Sequence, residues 1–110
     1  AWRVTAITNG RQAVVSVAAG TTVSLAFADD GRVTGSSGCN TFNARYTADA
    51  ARLRIQPPAT TRRMCAGTEL MQQEVNFLKA LPTVATVRVE GDRLELRAAD
   101  GALAITATRD

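Results

Sequence analysis

Alternation of apolar and polar residues with a period of two constrains this chain more than any other feature. Val23, Leu25 and Phe27 alternate with Thr22, Ser24 and Ala26, and Leu53 and Ile55 with Arg52, Arg54 and Gln56. Ala85, Val87 and Val89 alternate with Thr86, Arg88 and Glu90, Leu94 and Leu96 with Arg93, Glu95 and Arg97, and Leu103 and Ile105 with Ala104 and Thr106. Successive side chains of an extended strand point to opposite faces, so each segment predicts a strand with one buried and one wet face. Asn9-Gly10, Ala19-Gly20, Asp30-Gly31, Gly91-Asp92 and Asp100-Gly101 punctuate the alternation, and such pairs supply the positive φ angles of tight hairpins. With 110 residues the chain has room for one core, which predicts a single domain over residues 1–110. The expected class is α+β, mainly β: a small curled or barrel-like antiparallel sheet of about eight strands packed with one α-helix.

The helix is the segment where the period changes. From Thr68 to Leu81 the apolar residues are Leu70, Met71, Val75, Phe77, Leu78 and Leu81, a helical spacing. Thr68 is expected to cap its start, Glu69 suits the positive end of the dipole, and Pro82 stops it. Pro57-Pro58 marks an earlier break, followed by an irregular approach over residues 59 to 66. One core is expected from Trp2, Val23, Leu25, Phe27, Leu53, Ile55, Leu78, Leu81, Leu94, Leu96, Leu103 and Ile105. Glu74 shares a helix face with Leu70, Phe77, Leu78 and Leu81. An ionised carboxylate is not buried unpaired. Glu74 therefore either reaches water at the edge of the stripe or accepts bonds from the backbone of the 38–40 bend or from Arg62 or Arg63.

The available chemistry is narrow. The chain has no histidine, which removes Ser-His-Asp triads, Cys-His dyads and histidine metal ligands. Lys79 is the single lysine and lies behind the helix stripe. The stretch GSSGCN at residues 35–40 fails the G-x-S-x-G pattern, and it lacks the flanking helices of a GxxG nucleic-acid clamp. No phosphate loop or dinucleotide fingerprint is present, and two cysteines alone do not close a zinc site. The expectation is no catalysis, no catalytic residue, no cofactor and no bound metal.

The net charge is +3, carried by arginines scattered from Arg3 to Arg109 with acids such as Glu95 among them. Nucleic-acid binders concentrate cations and interleave aromatics, so solvated strand faces are expected here and no nucleic-acid partner. Apolar runs are a few residues long, too short to span a bilayer. The start at Ala1-Trp2 leads us to expect a processed mature protein or a domain cut from a longer one. Cys39 and Cys65 are open to two readings, free buried or reactive thiols or a disulfide, and the disulfide is the expectation if the chain is exported to an oxidising compartment. The bridge would close a loop of about 26 residues, worth roughly 3 to 4 kcal/mol. In GSSGCN, Gly35 and Gly38 are expected to give backbone freedom where a strand leaves the sheet. Ser36 and Ser37 would decorate the bend, and Asn40 would fix the return through bonds to nearby backbone.

Gly38-Cys39-Asn40, Phe42, Tyr46, Leu53-x-Ile55, Thr60-Thr61-Arg62-Arg63-Met64-Cys65, Glu74 with Phe77 and Leu81, Leu94-x-Leu96 and Gly101 together resemble the META domain family (HslJ-like). The resemblance runs from Trp2 to about Ile105, and departs where many members carry a glycine before the tyrosine; Asn43-Ala44-Arg45 stands there instead. It implies a small antiparallel β domain with a helix, exported to the periplasm or outer membrane of a Gram-negative bacterium, sometimes as a lipoprotein. It also implies a loose association with stress and no established catalysis. The function expected is a non-catalytic envelope module for interaction or stability. The alternative is a module that binds a small ligand or inhibits a protein. The partner would be an envelope protein or small ligand, the chain a monomer, and membrane contact would come only through a lipid anchor outside this chain.

Overall fold

The computed structural model describes residues 1–11, 13–64 and 67–109. Its strands are β1 (Trp2–Thr8), β2 (Val14–Ser16), β3 (Ser24–Phe27), β4 (Arg32–Ser36), β5 (Thr41–Asp49), β6 (Arg52–Ile55) and β7 (Ala59–Thr60). The helix α1 (Thr68–Ala80) follows, then β8 (Val84–Glu90), β9 (Arg93–Ala98) and β10 (Leu103–Arg109). The ladder runs β1-β3-β4-β5-β6-β8-β9-β10, and β10 pairs back with β1. These eight antiparallel strands close a barrel, which removes the unpaired edges an open sheet would present. β2 pairs with the second half of β1, and β7 with the start of β5.

Closure is achieved with irregular pairing. Register shifts fall between Val4 and Ala6 in β1, between Val84 and Thr86 in β8, and between Leu103 and Ile105 in β10. A bulge adds a residue to one strand and bends it, and it also reverses the inward phase. Val4 and Ile7, an odd number of residues apart, are therefore both buried. In β10 Leu103 is only half-buried, whereas Ala104 through Ala107 are all buried. The clean alternation expected of Leu103 and Ile105 fails for this reason.

The interior is filled by Val, Leu, Ile and Ala, with Val23, Leu25, Val33, Phe77, Leu81, Leu96, Ile105 and Ala107 fully inaccessible. Leu53, Ile55 and Leu94 join them, while Trp2, Phe27 and Leu78 pack against this core only partly buried. The helix presents the expected face, but its deepest side chain is Phe77 rather than Leu78. Phe77 meets Phe42 of β5 edge to face with ring centroids 5.3 Å apart. Burying such a side chain contributes about 1.5–3 kcal/mol. Met71 and Val75 lie on the exposed side.

Two local expectations at the helix need correction. Gly67 occupies the N-cap with φ 93°, so Thr68 is the first helical residue and its hydroxyl makes no cap bond. The helix ends at Ala80, and Leu81–Thr83 form a 3-10 turn with Pro82 inside it. Asn43-Ala44-Arg45, which stand where many family members carry a glycine, lie mid-strand in β5, opposite Thr34, Val33 and Arg32. No helix of the described residues is long and apolar enough to cross a membrane.

Candidate functional site

The GSSGCN stretch runs off the end of β4 and turns into β5 beneath α1. Gly35 is required by close approach: a Cβ there would stand 2.0 Å from the Ser24 carbonyl oxygen of β3. Gly38 has φ +118°, a conformation side chains rarely adopt. The serines do more than decorate. Ser36 Oγ donates to the Thr22 carbonyl (2.9 Å) and accepts from Gly38 N (3.2 Å). Ser37 is fully buried, and its N–H and Oγ both donate to the Asn40 carbonyl, at 2.8 and 3.1 Å.

Asn40 is the centre of the cluster. It is buried, and its side chain uses its whole hydrogen-bonding capacity. Nδ2 donates to Glu74 Oε1 (2.7 Å) and to the Arg63 carbonyl (3.1 Å). Oδ1 accepts from Arg63 N (2.6 Å) and from Thr61 Oγ1 (2.9 Å). One amide thus joins the start of β5, the 61–63 segment and the middle of the helix. It fixes more than the local return expected from sequence.

Glu74 is half-buried, facing this cluster. Its Oε1 is held by the Asn40 amide, and its Oε2 lies 2.8 Å from Cys39 Sγ. The expected donors were the backbone of the bend or Arg62 or Arg63; the structure supplies the Asn40 side chain, to which Arg63 is joined through its backbone. Cys65 lies outside the described residues.

Tyr46 belongs elsewhere. Its hydroxyl donates to the Ala28 carbonyl (2.6 Å) and its ring packs edge to face on Phe27 (5.1 Å), bracing the β3–β4 turn. The structure therefore brings Gly35, Gly38, Cys39, Asn40 and Glu74 together and leaves Tyr46 apart. A residue sequence reasoning passed over, Gln73, ties the helix to the β2–β3 connection. Its Oε1 accepts from Ala18 N (2.8 Å) and its Nε2 donates to Thr21 Oγ1 (3.2 Å). Its neighbourhood in sequence carries no signal for a bond spanning 55 positions.

Chemically, the cluster is a set of committed groups. The depression over it, lined by Ser36, Cys39, Asn40, Thr61 and Arg63 among others, holds about 250 Å³. That is below the usual range for ligand pockets. Among the described residues no group of three His, Cys, Asp or Glu side chains is placed to hold a metal. A larger groove of about 460 Å³ separates β2 from the helix, with Ile7 and Val15 facing Gln72, Gln73 and Asn76.

A family model described as META domain matches residues 1–110. No curated protein is similar enough to count as a match. Among solved structures, a protein from Burkholderia xenovorans determined by NMR superposes with a TM-score of 0.77 at 22% identity, covering 99% of this chain and 80% of that one. A second protein determined by NMR gives 0.69 at 23% identity, covering 97% and 86%. A DUF4847 family protein from Bacteroides vulgatus gives 0.58 at 20% identity, covering 78% and 57%. At these identities the likeness is one of fold.

Proposed function

The chain belongs to the META domain family, and from that premise we propose that it is a non-catalytic module of the bacterial cell envelope, acting through interaction or stability rather than turnover. One observation carries the reading: the barrel is filled with side chains, and the polar groups of its most elaborate cluster are bonded to one another. A catalytic site keeps a nucleophile or base free to meet substrate. Here the Asn40 amide, the Ser37 hydroxyl and Glu74 Oε1 are each engaged in holding the fold. A Cys39–Cys65 bridge belongs to the same proposal, since an oxidising compartment would let it form and tie the bend to the segment before the helix.

The test is fractionation of cells producing the natural full-length protein, followed by mass spectrometry without reductant. Recovery from the envelope with the mass of the oxidised chain is the expected result. A cytoplasmic protein whose thiols both alkylate freely would overturn the proposal. Small-ligand binding is the second reading, favoured by the groove between β2 and α1, where two apolar side chains face three amides.

A further inference from the structure

Four arginines from three successive strands, Arg32 of β4, Arg45 of β5 and Arg52 and Arg54 of β6, meet on one outer face of the barrel. Arg32 lies directly opposite Arg45. Thr47, the next outward residue of β5, lies opposite Arg54, which places Arg54 diagonally beside Arg45. Arg52 follows on the same face, opposite Asp49 on one side and Thr86 on the other. All four are exposed, and the alternate residues Val33, Ala44, Leu53 and Ile55 point into the barrel. Where β6 and β8 part beyond the Arg52–Thr86 pairing, a groove of about 470 Å³ opens beside Arg52 and Arg54.

The charges on this face differ from those around the rest of the barrel. Arg88 pairs with Glu90 (2.7 Å), Arg93 and Arg97 share Glu95 (3.2 and 3.4 Å), and Arg109 lies over the Trp2 ring at 4.4 Å. Among the described residues none of Arg32, Arg45, Arg52 and Arg54 has an ion pair, although Asp49 stands in register with Arg52. Like charges directly opposite one another destabilise a sheet, so an anion between Arg32 and Arg45 would relieve the folded chain.

We propose that this face docks on an anionic lipid surface, with the arginines against headgroup phosphates. Two absences favour lipid over macromolecular anions. Among the described residues the exposed large apolar side chains are Val14, Val15, Met64, Met71, Val75 and Val89, none of them on β4, β5 or β6. The face therefore lacks the apolar centre on which a protein interface is built. Phe42 and Tyr46 lie on the inward phase of β5, which leaves no stacking platform for nucleic-acid bases. A headgroup layer needs neither, and guanidinium matches phosphate bidentately. The proposal deepens the envelope reading, rests on it for its cellular setting, and replaces the expectation that membrane contact comes only through a lipid anchor outside this chain. Contact with vesicles can be measured regardless of compartment.

The experiment is co-sedimentation of the 110-residue chain with vesicles of phosphatidylcholine alone and of phosphatidylcholine with an equal part of phosphatidylglycerol. Binding is expected only to the anionic vesicles, and it should weaken as salt is raised. A variant carrying Arg32→Gln, Arg45→Gln and Arg54→Gln should lose about a hundredfold in partitioning. A variant of equal charge carrying Arg88→Gln, Arg93→Gln and Arg97→Gln should stay within about threefold of wild type on the same scale. Equal losses in both variants, no binding to the anionic vesicles, or capture by duplex DNA or polyglutamate in their place would overturn the proposal. If a variant fails to fold, the unaltered chain still decides the matter. Vesicles should protect Arg32, Arg45, Arg52 and Arg54 from phenylglyoxal, read by mass spectrometry, and uniform protection of all arginines would reject this face.

Discussion

The Asn40 cluster and the arginine face are both polar regions of one barrel, and they are built on opposite terms. In the cluster, the Asn40 side chain leaves water, and its amide is satisfied by partners 21 to 34 positions along the chain. On the arginine face, side chains keep their water and have no ion pair among the described residues. A buried polar group is costly to orphan, whereas an exposed charge contributes little to folding. Stability should accordingly reside in the cluster, and the arginines should be nearly silent until a partner arrives.

The sharpest break in that contrast should come from Gly35→Ala. The added methyl meets the Ser24 backbone, which cannot swing aside as a side chain would. We expect a loss of about 3 kcal/mol in urea unfolding. A loss below about 0.5 kcal/mol would mean that β3 and β4 separate without cost. Asn40→Ala comes next, at about 2–3 kcal/mol, because it strips partners from Glu74 Oε1 and from both backbone groups of Arg63. Hydrogen exchange should then show the 61–64 segment and the helix loosening together. If only the bend loosens, Asn40 is a local turn residue and no hub.

Glu74→Gln is a milder probe, since an acceptor for the Asn40 amide is kept while the charge is lost. It should cost about 1 kcal/mol at neutral pH by thermal unfolding. Equal stability of the two proteins would return Glu74 to the edge of the apolar stripe. The smallest effect belongs to the other region. Arg45→Gln should stay within about 0.5 kcal/mol of wild type, with any shift toward greater stability because the opposition to Arg32 is removed. A substantial loss would show that the arginines hold the sheet, and the contrast between the two regions would collapse.

How far each region was legible differs for the same reason. The helix face was readable because Leu70, Glu74, Phe77, Leu78 and Leu81 lie within one short segment whose geometry is periodic. That Glu74 required a partner followed from the cost of burying a carboxylate. The 38–40 bend was among the candidates, but that its Asn40 side chain rather than its backbone would reach Glu74 did not follow, since the two are 34 positions apart and are brought together by the β4–β5 turn. Ser36 reads as ornament because nothing local shows that the Thr22 carbonyl, 14 positions away, will be within reach, whereas the bond from Ser37 to the Asn40 carbonyl is local to the bend. The arginines read as scattered because their grouping depends on strand register, which places Arg32 beside Arg45.

The sequence by itself determined the strands with clean alternation, the single helix and its inward face, and the absence of imidazole chemistry. These are properties of residue type and short-range period. Closure of the sheet into a barrel was settled by tertiary structure, through bulges in β1, β8 and β10 that shift the inward phase and let β10 meet β1. Tertiary structure likewise chose Phe77 as the plug, Asn40 as the hub and one outer face as the place where four strand arginines gather. Backbone dihedrals and side-chain periodicity act over a few residues, whereas register, closure and hydrogen-bond partnership join residues tens of positions apart and exist only once the chain has folded.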